Sequence, residues 1–195
     1  MSRRRVVVAG TAGGVGTTTV TALLFGSATT AGTAPRLVDH SGGDLGARLT
    51  GGDDAASVDR SLTLHDLGPH AAHALLDELD DPEVLAVVVA PTTPTGVADV
   101  RHVLGAVRAR HSIGGLRRAL VVLVGVHGQH RTARDVEELE VAFGRRSVVV
   151  VPRDAALAAG GRVPLTRISR DTAKANGLLA SYLRERLTSH GGTLP

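Results

Sequence analysis

The chain has 195 residues, a formal net charge of +3 and no cysteine, and is 43% hydrophobic with only two Phe, one Tyr and no Trp. That length and apolar content suit one α/β domain with a core of Val, Leu and Ala, and the missing thiols exclude disulfides and thiolate metal sites. No stretch approaches the roughly 20 apolar residues of a membrane span, and the basic start Met1-Ser2-Arg3-Arg4-Arg5 meets glycines too soon for a signal peptide, so the chain reads as cytoplasmic.

Six apolar runs are predicted as strands: Arg4–Ala9, Arg36–Asp39, Leu62–Asp66, Leu85–Ala90, Ala119–Gly125 and Ser147–Val151. Most are continuous rather than alternating, the pattern of strands covered on both faces. After the first strand comes Gly10-Thr11-Ala12-Gly13-Gly14-Val15-Gly16-Thr17-Thr18-Thr19, and then Val20, Ala22, Leu23, Leu24 and Phe25 supply a helix. The segment Ser41–Arg60, rich in Gly and Asp, reads as the one long irregular stretch. Further on, Val97, Val100, Leu104 and Val107 share a helix face, as do Val136, Leu139 and Phe143 behind a start signal at Thr132 and Asp135. A last helix is predicted from about Asp171 to Leu187, with Leu179, Leu183 and Leu187 aligned. The alternation predicts an α/β fold, doubly wound, with a mostly parallel sheet and helices on both faces. It occupies one domain, 1–187, followed by a flexible tail, 188–195.

A strand, a glycine-rich loop and a helix form the context in which backbone N–H groups curl around phosphate oxygens and the helix N-terminus favours an anion. A hydroxyl in the first helical turn can ligate Mg²⁺. These requirements mark Gly13, Gly14, Val15, Gly16, Thr17, Thr18 and Thr19 as a phosphate loop.

On these residues the chain resembles the ParA/MinD/NifH family of deviant Walker-A ATPases, whose loop reads KGGxGK[ST] against Ala12-Gly13-Gly14-Val15-Gly16-Thr17-Thr18 here. The glycines and the Mg²⁺-ligand position, Thr18, match. Both lysine positions do not: Ala12 replaces the lysine that crosses a dimer, and Thr17 replaces the one that contacts the β- and γ-phosphates. Leu37-Val38-Asp39 resembles the strand into switch I, with Ser41 where relatives carry the carboxylate linked to hydrolysis. Leu62–Pro69 resembles the Walker-B strand, with Asp66 as the Mg²⁺-linked carboxylate. Val87–Thr93 resembles the next strand and turn, and Gly125 falls where relatives usually place an adenine-contacting Asn. Val151-Pro152-Arg153-Asp154 resembles the late loop beside the base.

The resemblance therefore implies ATP and Mg²⁺ as ligands, with Pro152 and Asp154 joining the nucleotide loop and with Thr18, Asp39 and Asp66 around the metal. The missing lysines weaken both ligands, because one charge-assisted hydrogen bond contributes roughly 1.5–3 kcal/mol. Hydrolysis, which relies on stabilising transition-state charge, suffers more than binding. No catalytic residue is assigned.

His70-x-x-His73 and His127-x-x-His130 have a spacing seen in metal sites, but without matching Cys or carboxylates they read as surface histidines and no structural metal is expected. Three arginine groups stand out: Arg108, Arg110, Arg117 and Arg118; Arg145, Arg146 and Arg153; and Arg162, Arg167 and Arg170. Lys174 is the only lysine, and the sequence pI is about 10.4. These groups suit either nonspecific DNA contact or a solvated surface in an arginine-preferring genome. The stretch Thr188–Pro195 cannot form the amphipathic helix by which MinD relatives reach membranes, so no membrane partner is expected.

Three functions remain open. One is a ParA/MinD-like nucleotide switch that dimerises and positions or regulates cargo. Another is a pseudo-ATPase adaptor that binds a protein partner without nucleotide. The last is a nonspecific DNA-binding protein.

Overall fold

Each apolar run becomes a strand. A computed structural model, describing residues 4–42, 45–49, 57–69, 72–125 and 132–189, gives β1 (Arg4–Gly10), β2 (Thr33–Asp39), β3 (Ser57–Gly68), β4 (Val84–Pro91), β5 (Ala119–Val124) and β6 (Val148–Val151). They form a six-stranded sheet in the order β2-β3-β1-β4-β5-β6, and every pairing is parallel. The helices are α1 (Thr17–Thr30), α2 (Leu45–Arg48), α3 (Ala72–Glu78), α4 (Pro94–Arg117), α5 (Thr132–Phe143), α6 (Ala155–Ala158) and α7 (Arg170–Ser189).

Alternate residues of each central strand supply two cores, because successive side chains point to opposite faces. On one face Val6, Val8, Val87, Val89, Leu120 and Val122 pack against Val20 and Leu24 of α1 and Leu179 and Leu183 of α7. On the other, Val7, Ala86, Val88, Val121 and Leu123 pack against α3, α4 and α5 through Leu75, Leu79, Val100, Leu104 and Leu139. Each buried Val or Leu contributes roughly 1.5–3 kcal/mol relative to exposure. The sheet is thus doubly wound, with helices on both faces.

The segment 41–60 departs from its predicted irregularity. It contains α2, and β3 begins at Ser57 rather than Leu62. The reason is positional: Ser57, Val58 and Asp59 pair only with Thr33, Ala34 and Pro35 of the edge strand, whereas β1 joins β3 first at Leu62. A strand end with one neighbour needs no continuous apolar run. The short helices α3 and α6 had also left no periodic signal long enough to read, and α7 extends to Ser189. Residues 1–3, His70, His127, His130 and 190–195 lie outside the described residues, as does 50–56 within the Gly/Asp-rich stretch.

Arginines fasten the N-terminal ends of the strands. Arg5 on β1 donates to Glu78 at 2.8 Å and to Asp81 at 2.9 Å. Arg118, just before β5, donates to the carbonyls of Asp81 (2.7 Å) and Leu79 (2.9 Å). Arg146, before β6, pairs with Glu185 at 2.9 Å and lies over the Tyr182 ring. Arg186 of α7 donates to the carbonyls of Arg117 and Arg146. Of the grouped arginines, Arg118 and Arg146 thus tie loops and helices together at this end of the sheet.

Within α4, Ser112 has φ 58° and ψ −155°, outside helical values. A non-glycine residue there stores about 1–3 kcal/mol of strain that glycine avoids. Ser112→Gly is expected to raise the unfolding free energy by about 1 kcal/mol in urea titration; an unchanged midpoint would show that no strain is stored at this bend.

Candidate functional site

The chain leaves β1 towards the edge strand β2 through α1, and leaves β4 in the opposite direction, to β5 through α4. The connections therefore diverge at the C-terminal ends of β1 and β4, where open α/β sheets leave a crevice for ligands. The glycine loop begins there. Thr11 N–H donates to the Val89 carbonyl at 2.9 Å, tying the loop to β4.

Gly14 and Gly16 have φ of +72° and +91°, values in the left-handed region that favours glycine. Gly16 caps α1 without any side-chain bond, and no acidic residue occupies the first turn. The opening N–H groups of α1 thus lack intrahelical acceptors and add their dipole to a site suited to an anion. Gly13 and Gly14 are exposed, while Val15 is buried in the core beside Val20 and anchors the loop between them.

The two positions lacking lysine have settled inward. Thr17 is buried, and its hydroxyl sits so close to Gly10 that a Cβ at that glycine would collide with it. Ala12 is half-buried and packs against the core. Neither supplies positive charge to the crevice.

Across from the loop stands Asp66, fully buried at the end of β3. The β1–β3 register shifts between Val8 and Ala9, so that Ala9 is paired with Gly68. At that irregularity Gly68 N–H donates to Asp66 Oδ1 at 2.9 Å. Asp66 Oδ2 is buried with no hydrogen-bond partner. Burial pushes the Asp66 pKa above the ordinary carboxylate value and the charge of Asp39 adds to the rise; the Gly68 N–H and the hydroxyls of Thr18 and Thr21 pull the other way. Hard oxygen donors with an unmet acceptor suit Mg²⁺, and Thr18 and Asp66 are the residues that would hold it. Asp39 lies opposite Asp66 in the β2–β3 register but is turned into its own loop. Its Oδ1 accepts from the Ser41 N–H at 2.8 Å and from the Ser41 hydroxyl at 2.6 Å.

A second concavity adjoins the loop. Gly16, Thr19, Val20 and Leu23 of the loop and α1 form one wall, and Val124, Gly125, Pro152, Arg153, Asp154 and Leu157 form the other, enclosing about 210 Å³. Of the expected nucleotide residues Gly16, Thr19, Pro152 and Asp154 line this concavity, Gly13 and Gly14 are exposed on the loop, Val15 and Thr17 are buried, and Thr18 lies by Asp66. The Asp154 carboxylate is committed to its own chain: Oδ1 accepts from Ala156 N–H (2.9 Å), capping α6, and Oδ2 from Ser169 N–H (2.7 Å). Burial works to raise its pKa, but these bonds and the Thr172 and Ser169 hydroxyls hold it below the usual carboxylate range.

Sequence reasoning missed Val20, Leu23 and Leu157 as pocket walls; an Asp before Ala155-Ala156 was the available sign of a helix cap beside the base loop. It also missed His40 and His65, whose rings stack at 5.2 Å with Nε2 and Nδ1 2.9 Å apart. Only the strand register, absent from sequence, brings them together. Burial, then His40 and the charges of Arg5 and Arg36, lower the His65 pKa, with Glu78 opposing. Among the described residues no cluster of three or more His, Asp or Glu side chains is arranged to hold a metal ion, and no helix is long and apolar enough to cross a membrane.

The chain matches no protein-family model and no curated protein. Among solved structures it is similar to a nucleotide-binding protein from Archaeoglobus fulgidus, in complex with ADP and with cobalt found by PIXE. The TM-score is 0.50 at 15% identity, over 98% of this chain and 92% of that one. A likeness at that identity concerns the fold alone: a doubly wound α/β architecture with a parallel sheet.

Because folding raises the Asp66 pKa, its ionisation opposes folding, and stability falls as pH climbs from below 3.8 through the raised value. Asp66→Asn is expected to stabilise the ligand-free protein at pH 7 by about 1 kcal/mol, the scale of an unmet buried acceptor, with the gain shrinking towards pH 4. Thermal unfolding across that range checks it; a destabilised variant at pH 7 would mean the carboxylate is already compensated.

Proposed function

We propose that this protein binds a nucleotide with Mg²⁺ at the glycine loop and acts, in the manner of ParA/MinD proteins, in intracellular positioning or regulation of cargo, with weak or absent ATP hydrolysis. The observation that carries the reading is the pairing of an open, glycine-lined α1 N-terminus with a buried Asp66 whose Oδ2 lacks a partner beside Thr18. A buried acceptor left unmet costs roughly 1–3 kcal/mol; a cation bridging it to a phosphate would remove that cost. The apolar concavity next to the loop gives a base somewhere to lie. The fold shared with a nucleotide-binding protein agrees with this reading.

The chemistry beyond binding is weakened at named positions. Thr17 is turned into the loop floor and cannot neutralise a triphosphate. Ser41, in place of a carboxylate, donates its hydroxyl to Asp39 and brings no negative charge to act on a water. The alternative of a pseudo-ATPase adaptor, holding a protein partner without nucleotide, draws support from Ala12, which packs inward where a dimer-crossing lysine would stand. Nonspecific DNA binding has less behind it: Arg110 pairs with Asp77 and Asp80, and Arg118 and Arg146 are engaged in intramolecular bonds.

Titration calorimetry of Mg·ATP against the whole chain tests the proposal. Binding is expected to be ten- to a hundredfold weaker than for a lysine-bearing loop, the equivalent of losing roughly 1.5–3 kcal/mol, and abolished in Thr18→Ala and Asp66→Ala. Thr17→Lys is expected to recover at least about tenfold in affinity. Absence of heat or competition at millimolar ATP would leave the adaptor reading.

A further inference from the structure

The helix that follows the glycine loop brings two hydroxyls, those of Thr18 and Thr21, to the flank that meets Asp66. Val20 and Leu23 lie in the wall of the concavity shared with Val124 and Pro152, so that flank of α1 is turned to β5 and β6. With about 3.6 residues to the turn, Thr18 and Phe25 fall on the other flank, towards β3, and Thr21 sits between them and the sheet. Asp66 points to this flank. Leu64, two residues earlier on β3, packs in one cluster with Val20, Leu24 and Phe25, and strand alternation puts the Asp66 side chain on the same face. Thr21 and Asp66 are both 0% exposed, and the hydroxyls of Thr18 and Thr21 both favour the charged form of the carboxylate.

The Thr21 hydroxyl donates to the Thr17 carbonyl at 3.1 Å. That carbonyl, four residues back, is also the regular helical acceptor of the Thr21 N–H. Turning the hydroxyl away therefore strands no acceptor. What it would turn to is Asp66 Oδ2, which is buried and without a hydrogen-bond partner. The exchange replaces a second bond on one carbonyl with a charge-assisted bond, roughly twice as strong as a neutral one. A carboxylate oxygen has room for two partners, so Oδ2 can accept from Thr21 and still face a cation. Oδ1 is held by the Gly68 N–H at 2.9 Å.

We infer that Thr21 is a positioning residue of the cation site, whose hydroxyl passes from the Thr17 carbonyl to Asp66 and holds the carboxylate towards a divalent ion. Thr21 acts only through Asp66, whereas Thr18, one turn nearer the loop, is the hydroxyl that would touch the ion. The inference rests on the reading of Thr18 and Asp66 as a Mg²⁺–nucleotide site and extends that site one helical turn into the core. Removing a hydrogen-bonding support of a metal ligand costs about 10–100-fold in metal affinity, a loss that a titration reads directly.

The test is a Mg²⁺ titration at fixed nucleotide, followed by displacement of a fluorescent ATP analogue from the full chain. Thr21→Val keeps the shape and removes the hydroxyl; Thr21→Ser keeps the hydroxyl; Thr21→Ala stands in for the valine variant if that one does not fold. Thr21→Val is expected to raise the Mg²⁺ concentration for half-maximal binding about 10–100-fold, with nucleotide affinity in EDTA and the melting temperature unchanged. Thr21→Ser is expected to titrate like the parent chain. An unchanged Mg²⁺ midpoint in Thr21→Val would overturn the inference and leave nucleotide binding intact. A loss that extends to EDTA or to Thr21→Ser would also overturn it, by marking a packing defect. If the parent chain shows no Mg²⁺-dependent binding, the reading of the site fails and the role of Thr21 fails with it.

Discussion

The fold turns on how closely α1 starts behind β1. Thr17 lays its hydroxyl over Gly10, the last residue of the strand, at a distance that no side chain on residue 10 would permit. The chain must then reverse within Gly13–Gly16, using two positive-φ glycines, before the helix can begin. This tight reversal sets the position of α1 on the sheet, and with it the core formed by Val20, Leu24 and Phe25. It also leaves the first N–H groups of α1 facing the crevice rather than another helix. Packing and ligand geometry thus come from the same few backbone angles.

The same compactness changes what the loop can do. A long cationic side chain at position 17 would extend towards a ligand's phosphates, but a threonine is short enough to be absorbed into the protein. The residue is buried, with its hydroxyl against Gly10. The loop meets the backbone requirements of anion binding without a point charge. Asp39 follows the same direction, its carboxylate folded back on Ser41. Ser41 in turn packs on Gly68, where an added Cβ would stand 2.8 Å from the serine Cβ. The polar residues at the C-terminal strand ends mostly satisfy one another, and among the described residues Asp66 Oδ2 and Thr11 Oγ1 remain there without a partner.

Much of the architecture was legible because buried parallel strands must be apolar on both faces. Val6–Ala9, Leu85–Ala90 and Ala119–Val124 announce themselves on that ground alone. The half of β3 that pairs only with the edge strand carries Ser57, Asp59 and Arg60 and gives no such signal. Within the site, Gly16 and Thr18 were readable because their chemistry depends on neighbours in sequence. The His40–His65 pair and the close approach of Gly125 to the Arg153 backbone depend on register and on how far apart two strand ends lie, and no local pattern encodes either. The partners of the grouped arginines were illegible for a related reason: composition shows charge but not the acceptors that Arg110, Arg118 and Arg146 reach.

Those arginines give the molecule two unlike ends. At the N-terminal edge of the sheet Arg5, Arg118, Arg146 and Arg186 cross-link helices and turns. At the opposite edge the glycine loop, the Asp39–Ser41 turn and the Pro152–Asp154 segment join the strands with few such links. Opening fluctuations follow the distribution of contacts that must be broken. The sheet is therefore cross-linked by arginines along one margin and bordered by the glycine loop along the other. An anion held at the glycine loop would therefore order the margin that those arginines do not reach, while the cross-linked margin is already fixed.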